Sequence, residues 1–214
     1  MQALRPREAC AVSTTIDVAE IERFHGHMCP GLAIGVKAAE IALREIGPHS
    51  RDEEVVAITE TDICAVDAIQ YLTGCTFGKG NLIYRDHGKV VFTFIRRADG
   101  KAIRVSLRGG VLDAFSPEHR ELFAIVRAGT ASEGERVRFQ QLHVDRARAI
   151  LDAAPEDLFD VTEVEPDIPA PARIHQSLVC EECGEAMMET RARFFRGQTL
   201  CIPCFERKDR RFPP

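Results

Sequence analysis

Two pairs of cysteines constrain the fold of this 214-residue chain more than any other feature. Cys180 and Cys183 form one CxxC pair, Cys201 and Cys204 form the other, and 17 residues separate the pairs. This spacing is typical of a structural zinc site, in which four thiolates complete a tetrahedron around one ion. A redox role for the cysteines is the minor alternative. The surrounding segment is too short for a sufficient apolar core, so a metal cross-link is the expected source of its stability.

The order of the elements around these cysteines predicts the type of zinc-binding unit. A knuckle turn at the first pair, a hairpin turning at Arg196-Gly197 and a helix at 205–208 give the order of a treble clef. A zinc ribbon would instead place both pairs on hairpins. We expect a core domain at 1–165, a stiff proline-rich linker at 166–174 and the zinc finger at 175–214.

A second group of candidate ligands lies in the segment Phe24-His25-Gly26-His27-Met28-Cys29-Pro30-Gly31. If this segment is extended, the side chains of His25, His27 and Cys29 point to one side. Pro30 fits the first turn of a following helix, which would put Cys29 at a helix N-terminus, where the dipole favours a thiolate. Imidazoles and thiols serve as metal ligands or proton-transfer groups. A capping turn with a surface histidine and a buried cysteine is the alternative interpretation.

Hydrophobic periodicity and turn residues predict the remaining elements of the core domain. We expect a first helix capped by Thr15 with Val18, Ile21 and Phe24 inward, and strands that form an antiparallel meander after the glycine-rich loop. Gly31 and Gly35 on the second helix indicate close approach of another backbone, and glycines that are merely tolerated are the alternative. The predicted helices are 17–24, 32–46, 62–72, 116–127 and 134–153, and the predicted strands are 54–59, 82–84, 90–95, 102–107 and 158–165.

Further candidate site residues follow the first predicted strand. Asp62 could cap the helix there, and Cys64 and Asp67, three apart, would share a face of its first turns. Cys75 lies in the glycine-rich loop 73–81. The loop does not have Walker A spacing, but its backbone N–H groups and Lys79 could bind an anion. A flexible turn with a solvated lysine explains the same residues equally well.

Charge and cysteine content exclude several classes. The formal net charge of −5 gives no general nucleic-acid footprint, so we expect no nucleic-acid partner. Residues 1–15 have no apolar signal region, and Cys10 within them has no assigned role. No apolar run reaches the ~18 residues that span a bilayer. We therefore expect a cytoplasmic protein whose eight cysteines serve metal or redox chemistry and do not form a disulfide framework.

The chain resembles the E-subunit family of formylmethanofuran dehydrogenase. The resemblance rests on FHGHMCPG (24–31), CAVDAIQ (64–70), TGCTFGKGNL (73–82), DHGK (86–89) and VFTF (91–94). It implies an α+β core with a mixed β-sheet flanked by helices, reminiscent of thioredoxin, and in some members a C-terminal treble-clef finger. It also implies a metal site drawn from His25, His27, Cys29 and Cys64, with Cys75 and Asp67 close by. The parent enzyme is a molybdenum or tungsten complex, so the resemblance implies partner subunits and does not make this chain alone a dehydrogenase.

Two hypotheses follow from the residues and the resemblance. The chain is an enzyme, an accessory subunit or a stand-alone relative whose core holds zinc or a similar soft divalent ion, with His25, His27, Cys29, Cys64 and Asp67 as candidate catalytic residues. Asp67 or Lys79 would orient a ligand or bind an anion. Alternatively, it is a module that senses metal or thiol redox state and docks a partner through its finger. The apolar helix 32–46 and the sheet edges favour a homodimer.

Overall fold

The computed structural model describes residues 16–111, 114 and 116–209, and the predicted cap Thr15 and Cys10 lie outside them. The chain divides into two compact units, 1–171 and 172–214, whose boundary falls inside the predicted linker. Within the described residues, no helix combines the length and apolar character needed to cross a membrane.

The helices of the first unit begin and end close to the predicted positions. Asp17 caps the first helix through hydrogen bonds from the backbone N–H groups of Ala19 and Glu20. Pro30 opens the second helix, as predicted, and Ser116 caps the fourth. The helices are α1 (Val18–His25), α2 (Pro30–Glu45), α3 (Ala65–Thr73), α4 (Pro117–Arg127), α5 (Glu133–Asp152) and α6 (Pro155–Leu158).

Five strands in the described part of the chain form one mixed sheet in the order β2-β1-β3-β4-β5. The predicted antiparallel meander is wrong in one respect, because β2 does not pair with β3. Instead β2 pairs in parallel with β1, and β1 separates it from β3. The α3 crossover between β1 and β2 permits this parallel pairing. The strands are β1 (Val55–Thr59), β2 (Leu82–Tyr84), β3 (Val91–Arg96), β4 (Ala102–Leu107) and β5 (Phe159–Glu163).

The main apolar core lies between the sheet and the helices. Side chains from alternate positions of the sheet, such as Ala57, Phe92 and Phe94, join buried side chains of α2, α3 and α5 in one cluster. The opposite face of the sheet carries a smaller apolar cluster that includes Val56 and Ile95. The predicted α+β class is therefore confirmed, whereas the likeness to thioredoxin stays a prediction.

A glycine allows α2 and α3 to approach each other closely, as the sequence predicts. A Cβ atom placed on Gly35 would lie 2.2 Å from the Ala65 carbonyl oxygen, so no side chain fits there. The two helices consequently pack backbone to backbone, and the N-terminus of each lies near that of the other.

The described part of the second unit contains two short hairpins, a 3₁₀ turn at Glu189–Arg191 and an α-helix. Arg196 (φ 48°) and Gly197 (φ 81°) form the turn of the second hairpin, as predicted, because both backbones adopt the left-handed conformation that such turns require. The elements are β6 (Ser177–Val179), β7 (Ala186–Met188), β8 (Arg193–Phe195), β9 (Gln198–Leu200) and α7 (Ile202–Lys208).

Candidate metal centres

The segment between α1 and α2 is a tight reversal of the chain. The segment is not extended throughout, so the condition set in the sequence analysis is not met: His25 is the last residue of α1, and Gly26 follows in the left-handed conformation with φ 100°. Cys29 is the N-cap of α2, and its sulfur accepts a hydrogen bond of 3.3 Å from the Leu32 backbone N–H. The ends of two helices therefore fix the positions of the first and last candidate ligands.

This reversal brings His25, His27 and Cys29 together, and we call these three residues the core cluster. One ligand atom from each residue lies within 4.8 Å of the other two. The two imidazole rings are 4.7 Å apart between centroids and inclined by 39°. Cys29 is buried and His27 is exposed, so the cluster has one side in the protein and one side towards solvent.

Asp67 of α3 orients the first histidine of the core cluster. The His25 Nδ1 atom lies 2.7 Å from the Asp67 Oδ2 atom, a hydrogen-bond distance. The imidazole is about nine-tenths buried, and its Nε2 atom has no hydrogen-bond partner among the described residues. A buried nitrogen without a partner is costly in a folded protein. The arrangement matches that of metal-binding histidines, whose second nitrogen donates to a carboxylate.

The electrostatics of Cys29 differ from the sequence expectation. Burial raises the pKa of its thiol to about 11, a change that the neighbouring Cys64 reinforces and the Leu32 N–H only partly opposes. The expected effect of the helix dipole is thus outweighed by loss of water around the sulfur. Without a bound cation, Cys29 is a neutral thiol at pH 7.

Cys64 lies beside the core cluster and is not part of it. It is the N-cap of α3, and a Cβ atom placed on Gly31 would lie 3.8 Å from both the Cys64 and the Cys29 sulfur atoms. The predicted cap Asp62 is wrong, because α3 begins only at Ala65. The assignment of Cys64 as a ligand stays a prediction.

Cys75 and Lys79 have contacts of their own. The Cys75 thiol is fully buried, donates to the Val55 carbonyl oxygen at 3.4 Å, and has a pKa that burial raises. The Lys79 ammonium donates to the carbonyl oxygens of Ser50 and Arg51 at 3.0 and 3.4 Å. These contacts join the glycine-rich loop to the segment before β1. An anion-binding role for Lys79 stays a prediction.

Two histidines near the core cluster were not identified from the sequence. His119 of α4 and His143 of α5 lie 3.1 Å apart between Nε2 and Nδ1, and their rings are stacked. The pKa of His143 is lowered by burial, by His119 and by His27. The inner face of α5 carries His143, Ala147 and Ile150 at helical spacing. This spacing was the sequence signal that could have placed His143 inside the domain.

The four cysteines of the second unit, which we call the finger cluster, converge as predicted. Their sulfur atoms all lie within 4.8 Å of one another, and those of Cys183 and Cys201 are 3.9 Å apart. Backbone N–H groups of Cys183 and Cys201 lower the pKa of Cys180 to about 6, whereas burial and the other thiols raise the pKa of Cys204 to about 12. A four-thiol donor set of this compactness fits tetrahedral zinc.

Family models match both units. The model described as "FmdE, Molybdenum formylmethanofuran dehydrogenase operon" matches residues 24–160. The model described as "Prokaryotic dksA/traR C4-type zinc finger" matches residues 174–210, and so confirms a four-cysteine zinc finger at the C-terminus. Its assignment as a treble clef stays a prediction.

Two known proteins are similar over most of the chain. A probable S-adenosyl-L-methionine-binding protein of Archaeoglobus fulgidus is 37% identical over 191 residues, covering 86% of this chain and 50% of that protein, so this chain spans about half the length of that relative. The crystal structure of a tungsten formylmethanofuran dehydrogenase E-subunit (FmdE)-like protein from Syntrophus aciditrophicus matches with a TM-score of 0.59 and 25% identity, covering 90% of this chain and 91% of that chain. Since the FmdE model covers more than half of the residues, including the core cluster, the chain belongs to the FmdE family.

Proposed function

We propose that the core domain binds zinc or a similar soft divalent ion through the core cluster. The ligand atoms would be His25 Nε2, an imidazole nitrogen of His27 and the Cys29 sulfur. The observation that carries this proposal is the buried, unpartnered Nε2 atom of His25, whose other nitrogen is held by Asp67. A cation at this position would give a partner to a buried nitrogen that has no hydrogen bond among the described residues.

Three protein ligands are the number found in catalytic zinc sites, which keep one position open. The exposure of His27 supports an open position towards solvent. A zinc ion there supplies a Lewis acid that polarises a bound oxygen and lowers the pKa of bound water. The protein's own residues would orient the site, because Asp67 fixes the tautomer and direction of the His25 ring.

Cys29 would have to lose its proton when the ion binds. Burial raises the pKa of this thiol to about 11, so binding near neutral pH would release a proton to solvent. The Leu32 N–H, which already points at the sulfur, would then donate to a thiolate. Occupancy of the core cluster is therefore coupled to pH.

The family suggests the setting in which this site would act. We propose that the chain is an accessory subunit of a molybdenum or tungsten dehydrogenase, or a stand-alone relative. The family description and the similarity to the FmdE-like crystal structure support this. Affinity purification from the native cell tests it, because an accessory subunit would retain a molybdenum- or tungsten-containing partner. The predicted homodimer is measured in the same preparation by light scattering.

Metal stoichiometry tests the core cluster directly. The full chain is equilibrated with buffered free zinc, and bound zinc is measured by mass spectrometry of the native protein. We expect one ion more than the finger cluster explains. Cys29→Ala and His25→Ala should each lose one ion, and Cys64→Ala shows whether Cys64 is a further ligand.

His49→Ala serves as the matched control, because His49 is an exposed histidine whose Nδ1 atom lies 3.1 Å from the Leu72 carbonyl oxygen and which is not a member of the core cluster. Its zinc content should equal that of the wild type. Retention of the additional ion by both Cys29→Ala and His25→Ala would contradict the proposed ligands.

A further inference from the structure

Two cysteines from different helices face the same small space at the edge of the core cluster. Cys29 is the N-cap of α2, and Cys64 is the N-cap of α3. A Cβ atom on Gly31 would lie 3.8 Å from each sulfur atom and 3.2 Å from the Cys64 Cβ atom. Because residue 31 is glycine, no side chain stands in this space. The Cys29 thiol has Cys64 as a side-chain hydrogen-bond partner, so the two thiols are neighbours.

The two thiols differ in access to solvent. Cys29 is only 4% exposed, whereas Cys64 is partly exposed. Cys75, the remaining described cysteine of the core domain, is fully buried and its thiol donates to the Val55 carbonyl oxygen. A small oxidant that reaches the core domain would therefore meet Cys64 first.

We infer that Cys29 and Cys64 form a reversible disulfide when the core cluster holds no metal ion. The inference rests on the proposed metal site, since Cys29 is a ligand in the metal-bound state. The bound ion would protect the Cys29 sulfur, and the disulfide would remove the thiolate that the ion needs.

The reaction is a two-electron oxidation by a hydroperoxide. The Cys64 thiolate attacks the O–O bond of hydrogen peroxide, which gives Cys64 sulfenic acid and hydroxide. The Cys29 sulfur then attacks the Cys64 sulfur, the S–S bond forms, and the S–O bond breaks with release of a second hydroxide. The protons of the two thiols convert the two hydroxides to water, so one peroxide is reduced and two thiols are oxidised. A small dithiol reverses the reaction by exchange.

The test uses the full chain in two states that share an intact finger. One sample is dialysed against a mild chelator until only the finger zinc remains, and the other keeps both ions, as verified by zinc analysis before oxidation. Both are treated with hydrogen peroxide, alkylated and digested with trypsin. Cleavage after Arg23, Lys37, Arg51 and Lys79 yields peptides 24–37, which contains Cys29, and 52–79, which contains Cys64 and Cys75.

The Cys75→Ser variant is used beside the wild type, because it leaves Cys64 as the single cysteine of peptide 52–79. In both proteins we expect the two peptides to be linked and two hydrogen atoms lighter in the metal-free sample, with loss of both alkylation products. The zinc-loaded sample should yield no linked peptide, because the Cys29 sulfur is then bound to the ion. After oxidation the protein should bind one zinc fewer until it is reduced.

Two results would overturn the inference. The linked peptide could be absent from Cys75→Ser while present in the wild type, which would assign the bond to Cys75. Alternatively, Cys64 could be trapped as a stable sulfenic acid by dimedone with Cys29 still free. Failure of the proposed metal site is recognised separately, because the two samples would then hold the same amount of zinc and form the disulfide equally.

Discussion

The two cysteine-containing clusters of this chain hold their ligand atoms together in opposite ways. The finger cluster brings together four sulfur atoms from two pairs that are separated by 17 residues of sequence. Among the described residues, the buried members of its apolar cluster are Cys180, Leu200 and Cys204. The core cluster takes its donors from one reversal of the chain, above a continuous core that extends from α2 to β5. The metal ligands are therefore a large part of what folds the finger, whereas the core domain folds around other contacts and presents its donors ready-made.

The largest effect that tests this contrast is loss of a finger ligand. Cys204→Ala should unfold the second unit, because structural zinc contributes on the order of 10 kcal/mol to a unit of this size. The amide signals of residues 177–208 should collapse to random-coil positions in a heteronuclear NMR spectrum, while those of the first unit persist. Cys29→Ser is the matched variant and should leave both units folded. Dispersed amide signals from the finger in Cys204→Ala would contradict the conclusion that the four cysteines are needed for the finger to fold.

The next effect concerns the packing that positions the core cluster. Gly35→Ala should destabilise the first unit by about 3 kcal/mol, since the new methyl group would overlap the Ala65 carbonyl oxygen. Gly134→Ala is the control, because this glycine also lies in a helix and no atom lies within 4 Å of the added methyl. That variant should be as stable as the wild type or more stable by up to about 1 kcal/mol. Urea denaturation of the first unit measures both changes, and equal stabilities would contradict the close approach.

The pH dependence of the free energy of unfolding tests the burial of the Cys29 thiol. Burial raises the pKa of Cys29 from 9.0 to about 11, so below pH 9 the thiol is neutral in both the folded and the unfolded chain. Between pH 9 and 11 the unfolded chain releases this proton and the folded chain keeps it. The free energy of unfolding of the metal-free first unit should therefore fall by about 2 kcal/mol over this range. The difference between wild type and Cys29→Ser isolates this effect, and parallel curves would contradict it.

The smallest expected effect concerns the orientation of His25. Asp67→Asn should weaken zinc binding at the core cluster by roughly 10- to 100-fold, because the ring loses its charged hydrogen-bond partner. Zinc binding to the finger should not change. Asp62→Asn is the control, since Asp62 is an exposed carboxylate of the same segment and does not contact the imidazole in any described hydrogen bond. Competition with a chromophoric chelator measures the zinc affinities. An equal effect of both variants would contradict the proposal that Asp67 orients His25 for metal binding.

Much of the fold follows from local sequence signals. Pro30, Ser116 and the Arg196-Gly197 turn mark element boundaries through their own backbone preferences, and these predictions are confirmed. The pairing of β2 with β1 was not predicted, because strand partners are decided by the α3 crossover and not by the nearest turn. Phe24 was expected inside and is 55% exposed, since its helix ends one residue later.

The core cluster was visible in the sequence because its three donors lie within five residues. The contacts that support the cluster could not be predicted from the sequence, because their two residues lie far apart along the chain. The Nδ1 atom of His25 and the carboxylate of Asp67 are 42 positions apart in the sequence, and they meet because α1 packs on α3. His143, which lies near His27, is still farther along the chain. It belongs to α5, whose mostly polar composition made its inner face hard to recognise in the sequence.

The short spacing of the core donors bears on how long an ion would stay. Closing a loop of five residues takes little chain entropy, and an ion held by one reversal can leave donor by donor while every helix remains in place. An ion in the finger cluster has no such route, because its departure separates the two hairpins that it joins. The residence time of an ion at the core cluster would then depend on the motion of a single turn. The residence time of an ion at the finger cluster would depend on the lifetime of the folded unit. Only the ion at the core cluster would therefore be suited to exchange with the metal supply of the cell.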